Sequence, residues 1–240
     1  MKVEMRVARS PQGVQSAARR AAEVLRAGGL VIHPTETVYG IGGDASAASN
    51  DLIASLKKRR GSERPLILLT LDLAAVAALV EGLEWPDEAA ALAERFWPGP
   101  LTLVVSCTGA PRGLQGAGAG ARAGARAGAG AEGGIALRVT SDPCVRAILE
   151  EWEGPMTSTS ANLAGRRPAR TVEDAAAMFE ARLAAVGGAE PALFIDAGET
   201  PGAEGSTIVS FVGAPPRLLR AGPISLRELK EVTPQIRGRA

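Results

Sequence analysis

The sequence predicts a single α/β domain built on a mixed, twisted sheet. Three observations carry this expectation. Apolar runs of strand length alternate, though not strictly, with stretches of helical periodicity. Helix-capping residues recur at the joins, as Ser10-Pro11, Asp142-Pro143, Thr171 and Ser225. No linker splits the 240 residues into two cores, and 46% of them are hydrophobic, the usual share for a globular domain.

The elements follow in order. Ser10 caps a helix whose Val14, Ala18, Ala21 and Leu25 recur at helical spacing, and Gly28-Gly29 stops it. Leu30 to His33 is a short apolar strand, and residues 34–45 form a polar loop. Residues 50–59 read as a helix with Leu52, Ile53 and Leu56 on one face, and 65–69 as a buried strand. Residues 73–83 and 86–96 are helical. Trp97-Pro98-Gly99-Pro100 forms a turn, because two prolines and a glycine forbid regular structure. Strands follow at 101–107 and 135–139. Between them, residues 116–134 contain only Gly, Ala, Arg122, Arg126 and Glu132. That segment has no large apolar side chain to offset ordering, so it is expected to be a flexible insertion. A helix runs from Asp142-Pro143 to about Trp152, and 156–159 is a strand entering a polar loop. Thr171 caps a helix with Glu173 and Asp174 in its first turn, where negative charge suits the dipole. Strands at 194–195 and 208–212 precede a capping box, Ser225-Leu226-Arg227-Glu228, and a short last helix.

Composition excludes several classes. No apolar run approaches the roughly 20 residues that span a bilayer. The first ten residues lack an apolar signal region, so a cytoplasmic protein is expected. Two cysteines, Cys107 and Cys144, and one histidine, His33, cannot supply a zinc site of ordinary spacing. Both cysteines read as buried free thiols rather than a disulfide. His33 reads as a strand-end residue, since nothing near it resembles a nucleophile elbow. A net charge of +1 and 3% aromatic residues speak against wholesale coating of nucleic acid and against stacking platforms for single strands. Arg122 and Arg126 are the candidates for a weak RNA contact.

Polar clusters sit just after expected strands, where α/β sheets place their ligands. Pro34-Thr35-Glu36-Thr37-Val38-Tyr39-Gly40 follows the first strong strand, Ser158-Thr159-Ser160-Ala161-Asn162 ends another, and Gly205-Ser206-Thr207 opens a third. Turn chemistry explains one such cluster as well as binding does; three at strand ends favour a small polar ligand. Cations sharpen the reading. Lys57-Lys58-Arg59-Arg60 closes a helix and Arg64 follows, a pattern that dipole compensation also explains. Arg138, however, lies inside the apolar run 135–139, and an arginine there needs an anionic partner, for which a carboxylate fits its fork. Arg220 follows Leu218-Leu219 in the same manner. Cations converging with hydroxyls describe a site for a phosphate-bearing ligand and a small acid. Neither GxxxxGK[ST] nor a strand-borne GxGxxG is present, so side-chain cations would do more of the phosphate binding.

In this order, these clusters resemble the YrdC-like threonylcarbamoyl-AMP synthase family. The matching pieces are Pro34 to Gly40, the K-x-R of Lys58-Arg59-Arg60, Pro65-Leu66, and Phe96-Trp97-Pro98-Gly99-Pro100-Leu101-Thr102. Leu137-Arg138-Val139, Ser158 to Asn162, Gly205-Ser206-Thr207-Ile208-Val209 and Leu219-Arg220-Ala221-Gly222 complete the set, which covers residues 17–229. The resemblance implies a deep, positively charged cavity in which L-threonine, bicarbonate and ATP become threonylcarbamoyl-AMP and pyrophosphate. Threonylcarbamoyl-transferase proteins acting on tRNA then take the product. Carried over by motif, Thr37, Arg138, Ser158 and Ser206 would hold threonine. Lys58, Arg60, Arg64, Ser160 and Arg220 would hold ATP, with Gly134 and Pro168 lining its pocket and Asn162 supporting the nucleotide side. Lys58 and Arg60 would also neutralise charge during catalysis. Magnesium is expected on the phosphates, held mainly by ATP and water.

The sequence departs from the family pattern in places. Leu69 stands where some relatives have a histidine near threonine, Gly61 replaces the proline after K-x-R, and Thr140 replaces a proline after Leu-Arg-Val. The Gly/Ala insertion abuts Gly134. Longer relatives carry a further C-terminal domain, so a short, single-domain form is expected. The YrdC-like domains of hydrogenase-maturation carbamoyltransferases accompany zinc-finger cysteine pairs that this sequence lacks. The alternative is a non-catalytic module for double-stranded RNA or tRNA, read by shape and phosphate contact and marked by a steep salt dependence.

Overall fold

A computed structural model describes residues 2–57, 66–79, 84–106, 134–186, 191–202 and 204–238. Ten described strands form one mixed sheet: β1 Lys2–Val7, β2 Leu30–His33, β3 Gly40–Gly43, β4 Ile67–Thr70, β5 Leu101–Ser106, β6 Gly134–Val139, β7 Met156–Ser160, β8 Pro191–Asp196, β9 Thr207–Ser210 and β10 Arg217–Arg220. The helices are α1 Pro11–Arg26, α2 Ala47–Leu56, α3 Leu73–Leu79, α4 Asp87–Phe96, α5 Pro143–Trp152, α6 Val172–Ala185 and α7 Leu226–Val232. Across the sheet the order is β1-β8-β2-β3-β7-β4-β6-β5-β9-β10. β8 is inserted in parallel between β1 and β2, and β4–β6 and β5–β9 are also parallel pairs.

The helix starts are where the caps place them. Ser10 Oγ accepts from Gly13 N at 3.1 Å, Asp142 Oδ1 from Val145 N at 2.9 Å, and Thr171 Oγ1 from Asp174 N at 3.2 Å. Ser225 and Glu228 form a reciprocal capping box. Gly28, at φ +70°, ends α1 in the left-handed region that favours glycine.

Three strands depart from the sequence reading. The expected loop 34–45 contains β3, whose sequence Gly-Ile-Gly-Gly has no β propensity of its own. Partners on both sides, β2 and β7, hold it extended. Its glycines are needed there, because a Cβ on Gly42 would lie 2.2 Å from the Thr157 carbonyl oxygen. β1 and β10 lie at the two edges of the sheet, where polar residues break the apolar pattern that marks a strand. α2 begins at Ala47 under a Ser46 cap, three residues earlier than expected. The expected tails of helices 50–59 and 73–83, the start of strand 65–69, most of 116–134, and Cys107 lie outside the described residues.

Side-chain alternation sorts the sheet into two unlike faces. On one face Leu30, Ile32, Ile41 and Phe194 pack under α2 and α6. Leu68, Leu103 and Leu137 continue it under α4 and α7. The other face is only half covered. Val31, Leu69, Met156, Leu193 and Ile195 meet α1 and α5. Beyond that apolar block the same face carries His33, Ser158, Ala136, Arg138 and Val104, and there a cavity opens.

Candidate functional site

The cavity measures about 400 Å³ and is walled by three polar segments over an apolar floor of Ile67, Leu69, Val104, Ala136 and Ile208. Thr37, Ser158, Ser160, Arg138, Ser206 and Arg220 all line it. The charged groups among its described lining residues are the two arginines. No described carboxylate lines it, and no described cluster of three His, Cys, Asp or Glu side chains could hold a metal ion.

The first wall is the segment after β2, which folds on itself. Thr35 Oγ1 accepts from the backbone N–H groups of Thr37 and Val38, each at 3.1 Å, and donates to the Val38 carbonyl at 2.7 Å. The Thr37 hydroxyl lies 2.9 Å from Thr35 Oγ1. Tyr39 is fully buried, and its hydroxyl donates to the Gly198 carbonyl at 2.8 Å. Its backbone ties the segment to the Ala161 and Ala169 loop.

Glu36 points away from the cavity and supports Arg138. Arg138 is 4% exposed, and its Nη2 lies 2.9 Å from Glu36 Oε1. Thr140 Oγ1 and Ser141 N donate to the same carboxylate at 2.8 and 3.2 Å. Burial works to raise the Glu36 pKa, but the charge and hydrogen bond of Arg138, helped by backbone N–H groups including that of Ser141, hold it below the usual carboxylate value. Arg138 thus has an internal counter-ion. The sequence reading looked for a ligand carboxylate and missed Glu36, a loop residue that only the tertiary fold brings to Arg138. Arg138 Nε donates to the Gly99 carbonyl at 3.2 Å, so the Trp97-to-Pro100 turn braces the guanidinium.

His33 is fully buried behind the cavity. Its Nδ1 is 2.9 Å from the Pro34 carbonyl oxygen and its Nε2 is 3.1 Å from Ser158 Oγ. Burial dominates its titration and the Arg138 charge adds to it. Against the Pro34 bond and Glu36, they hold the imidazole pKa down at about 4. Gly40 makes this contact possible. A Cβ there would lie 2.7 Å from His33 Cε1 and 2.8 Å from Ser158 Oγ. Gly40→Ala is thus expected to part the two side chains, costing about 1–3 kcal/mol of stability by overpacking. Chemical denaturation checks this, and an unchanged midpoint would count against it.

On the second wall, Ser160 Oγ donates to Asn162 Oδ1 at 2.6 Å, while Asn162 Nδ2 donates to the Arg166 carbonyl at 2.7 Å. Lys57, the first cation of the run that closes the expected helix, is buried. Its Nζ donates to the Ser160 carbonyl and, at 3.2 Å, to Asn162 Oδ1. Asn162 thus stands behind Ser160 rather than in the cavity. Pro168 neighbours the Ala161–Ala169 backbone bond and is likewise outside the cavity lining. Gly134 shares the cavity side of β6 with Ala136 and Arg138 but is covered by Val104 and Val212. Lys58, Arg60 and Arg64 lie outside the described residues.

The third wall joins residues that the sequence reading had divided between two ligands. Arg220 Nε donates to the Ser206 carbonyl at 2.8 Å and Nη2 to Ser206 Oγ at 3.0 Å. Ser206 Oγ is also 2.7 Å from Thr102 Oγ1, a residue without a role in the sequence reading. Gly205 and Gly222 leave room for this, since a Cβ on Gly205 would lie 2.8 Å from Arg220 Nη2.

An α/β sheet whose half-bare face gathers two arginines and several hydroxyls around one cavity places the chain among ligand-binding α/β domains. The Sua5/YciO/YrdC family model, described as telomere recombination, matches residues 23–222. The chain belongs to that family. It is 36% identical to a threonylcarbamoyl-AMP synthase of Halorhodospira halophila over 171 residues, 70% of this chain and 80% of the relative. It is 32% identical to the threonylcarbamoyl-AMP synthase of Pyrococcus abyssi over 91% of this chain, and spans 58% of that protein's length. The crystal structure of P. abyssi Sua5 complexed with L-threonine aligns with a TM-score of 0.77 at 29% identity, covering 100% of this chain and 63% of that one. Escherichia coli YciO shares the fold, with a TM-score of 0.71 at 21% identity over 95% of this chain and 100% of that one.

Proposed function

We propose that the chain is an L-threonylcarbamoyladenylate synthase, condensing L-threonine, bicarbonate and ATP to threonylcarbamoyl-AMP and pyrophosphate. The observation that carries this is the meeting of Thr37, Ser158, Ser206 and the braced Arg138 in one cavity, in a chain similar over its length to a Sua5 protein that binds L-threonine. Arg138 takes the threonine carboxylate, and the three hydroxyls take the amine and the side-chain hydroxyl. Ser160 and Arg220 face ATP, joined by Lys58, Arg60 and Arg64. Asn162, Pro168 and Gly134 support that side from behind.

The threonine amine and bicarbonate form a carbamate with loss of water. A carbamate oxygen then attacks the α-phosphorus of ATP, and the bond to the bridging oxygen breaks to release pyrophosphate. The carbamate is a weak nucleophile, so rate comes from positioning and from cations that neutralise the triphosphate. Since no described carboxylate lines the cavity, accompanying magnesium would ride on the phosphates and water. The product is an activated acyl-adenylate for threonylcarbamoyl-transferase proteins acting on tRNA.

The test is pyrophosphate release from ATP with each amino acid in turn. Threonine is expected to exceed serine, which lacks one methyl worth about 1–3 kcal/mol. Valine should be poorest, because it leaves hydroxyl-binding groups unpaired. Turnover with valine equal to threonine, or indifference to bicarbonate, would overturn the assignment. Steep salt-dependent RNA binding without turnover would favour the RNA-binding module instead.

A further inference from the structure

One cavity hydroxyl, that of Ser158, has its hydrogen already committed within the protein. For Thr37 the hydrogen stays open: Thr35 Oγ1 donates to the Val38 carbonyl and fills its two lone pairs with the N–H groups of Thr37 and Val38, so its 2.9 Å contact with Thr37 Oγ1 fixes no direction. Ser158 is fixed by its partner's partner. The Pro34 carbonyl can only accept, so His33 Nδ1 carries the proton. In a neutral ring Nε2 is then an acceptor, and Ser158 must donate to it across 3.1 Å. The ring has no solvent access that would favour its charged form. Ser206 differs. Its neighbour Thr102 is another hydroxyl, so the hydrogen between them can be supplied by either.

We propose that His33 is a positioning residue that turns the Ser158 hydroxyl into a pure acceptor, so that Ser158 presents only lone pairs to the ligand. It therefore selects a group that donates hydrogen bonds, the amino group of an amino acid whose carboxylate lies on Arg138. The choice of amino acid as ligand rests on the function proposed above; the polarity of the Ser158 hydroxyl does not. Leu69 gives the assignment a local logic. Leu69 and His33 occupy the same sheet face, but Leu69 offers no polar atom to the cavity, so the imidazole that orients it comes from β2.

His33 is the one histidine in the chain, so nitrogen-15 labelling of the imidazole gives a single ring to read. At pH 7 the ring is expected to be neutral with its proton on Nδ1, and Ser158→Ala should move the Nε2 signal. An imidazolium, or a proton on Nε2, would overturn the proposal, and this arm needs no ligand. The second arm is calorimetric titration with threonine and, separately, with ATP. His33→Phe keeps a ring but removes the acceptor, and should weaken threonine about tenfold while leaving ATP affinity unchanged. His33→Gln, which restores an acceptor oxygen, should recover most of that loss. In a Ser158→Ala background, His33→Phe should add nothing further. Equal losses in the Phe and Gln variants, or full additivity with Ser158→Ala, would show that the ring only fills space. Wild-type protein that binds no threonine but carries the Nδ1 proton would sink the proposed substrate, not the role of His33.

Discussion

Arg138→Met is expected to abolish threonine-dependent pyrophosphate release and to destabilise the fold by about 3–5 kcal/mol, the cost of leaving a buried carboxylate without its cation. Two effects are superposed. The cavity loses the fork that receives an acid, and Glu36 loses the charge that keeps it ionised against burial. They can be separated with the double variant Arg138→Met, Glu36→Gln. Removing both charges should recover most of the stability, because a neutral pair no longer carries an uncompensated ion. Activity should stay absent. Urea denaturation and pyrophosphate release on wild type, Arg138→Met, Glu36→Gln and the double variant decide it. Recovery of activity in the double variant would show that Arg138 does not touch the substrate. Failure to recover stability would show that the Glu36 contact is incidental.

Stability is also expected to fall by about 3 kcal/mol as pH drops from 6.5 to 4, through His33 alone. The folded imidazole titrates at about 4, while in the unfolded chain it does so near 6.5. A depressed pKa means that the unfolded state takes up the proton first. The stabilisation is complete above pH 6.5, declines below it, and is exhausted once the folded pKa is passed. Glu36 adds a further acid-side loss at lower pH, since its carboxyl is also held below its ordinary value. Asp142 acts in the opposite direction, because burial raises its pKa. Denaturation midpoints of wild type and His33→Phe across this range isolate the histidine. The variant should be flat between pH 6.5 and 5 where wild type slopes, and parallel curves would refute the assignment.

Four helix starts were legible in the sequence because caps are local, while α2, capped by Ser46, was placed three residues late. Ser10, Asp142, Thr171 and the Ser225–Glu228 box each act within three residues. The strand β3 was not legible, since Gly-Ile-Gly-Gly is extended only through its neighbours. At the site, residue types were readable and relations were not. Thr37, Ser158 and Ser206 stood out as polar groups at strand ends and Arg138 as a charge inside an apolar run, and they share a cavity. That Glu36 holds Arg138, that Lys57 holds Ser160 and Asn162, and that His33 faces Ser158 all depend on strand order and register. One clue was available. A buried arginine demands an anion, and Glu36 lay unassigned within a motif already suspected of binding.

The placement of β8 bears on how the protein is made. Among the described strands, β1 hydrogen-bonds only to β8, and β8 closes the gap between β1 and β2. A chain leaving the ribosome therefore carries Lys2–Val7 as an unpartnered segment until Pro191–Asp196 has emerged. During that interval Met5 and Val7, exposed even in the finished protein, have no sheet to join. Completion of this edge thus waits on a strand far along the chain, and Lys2–Val7 stays open to a chaperone until then.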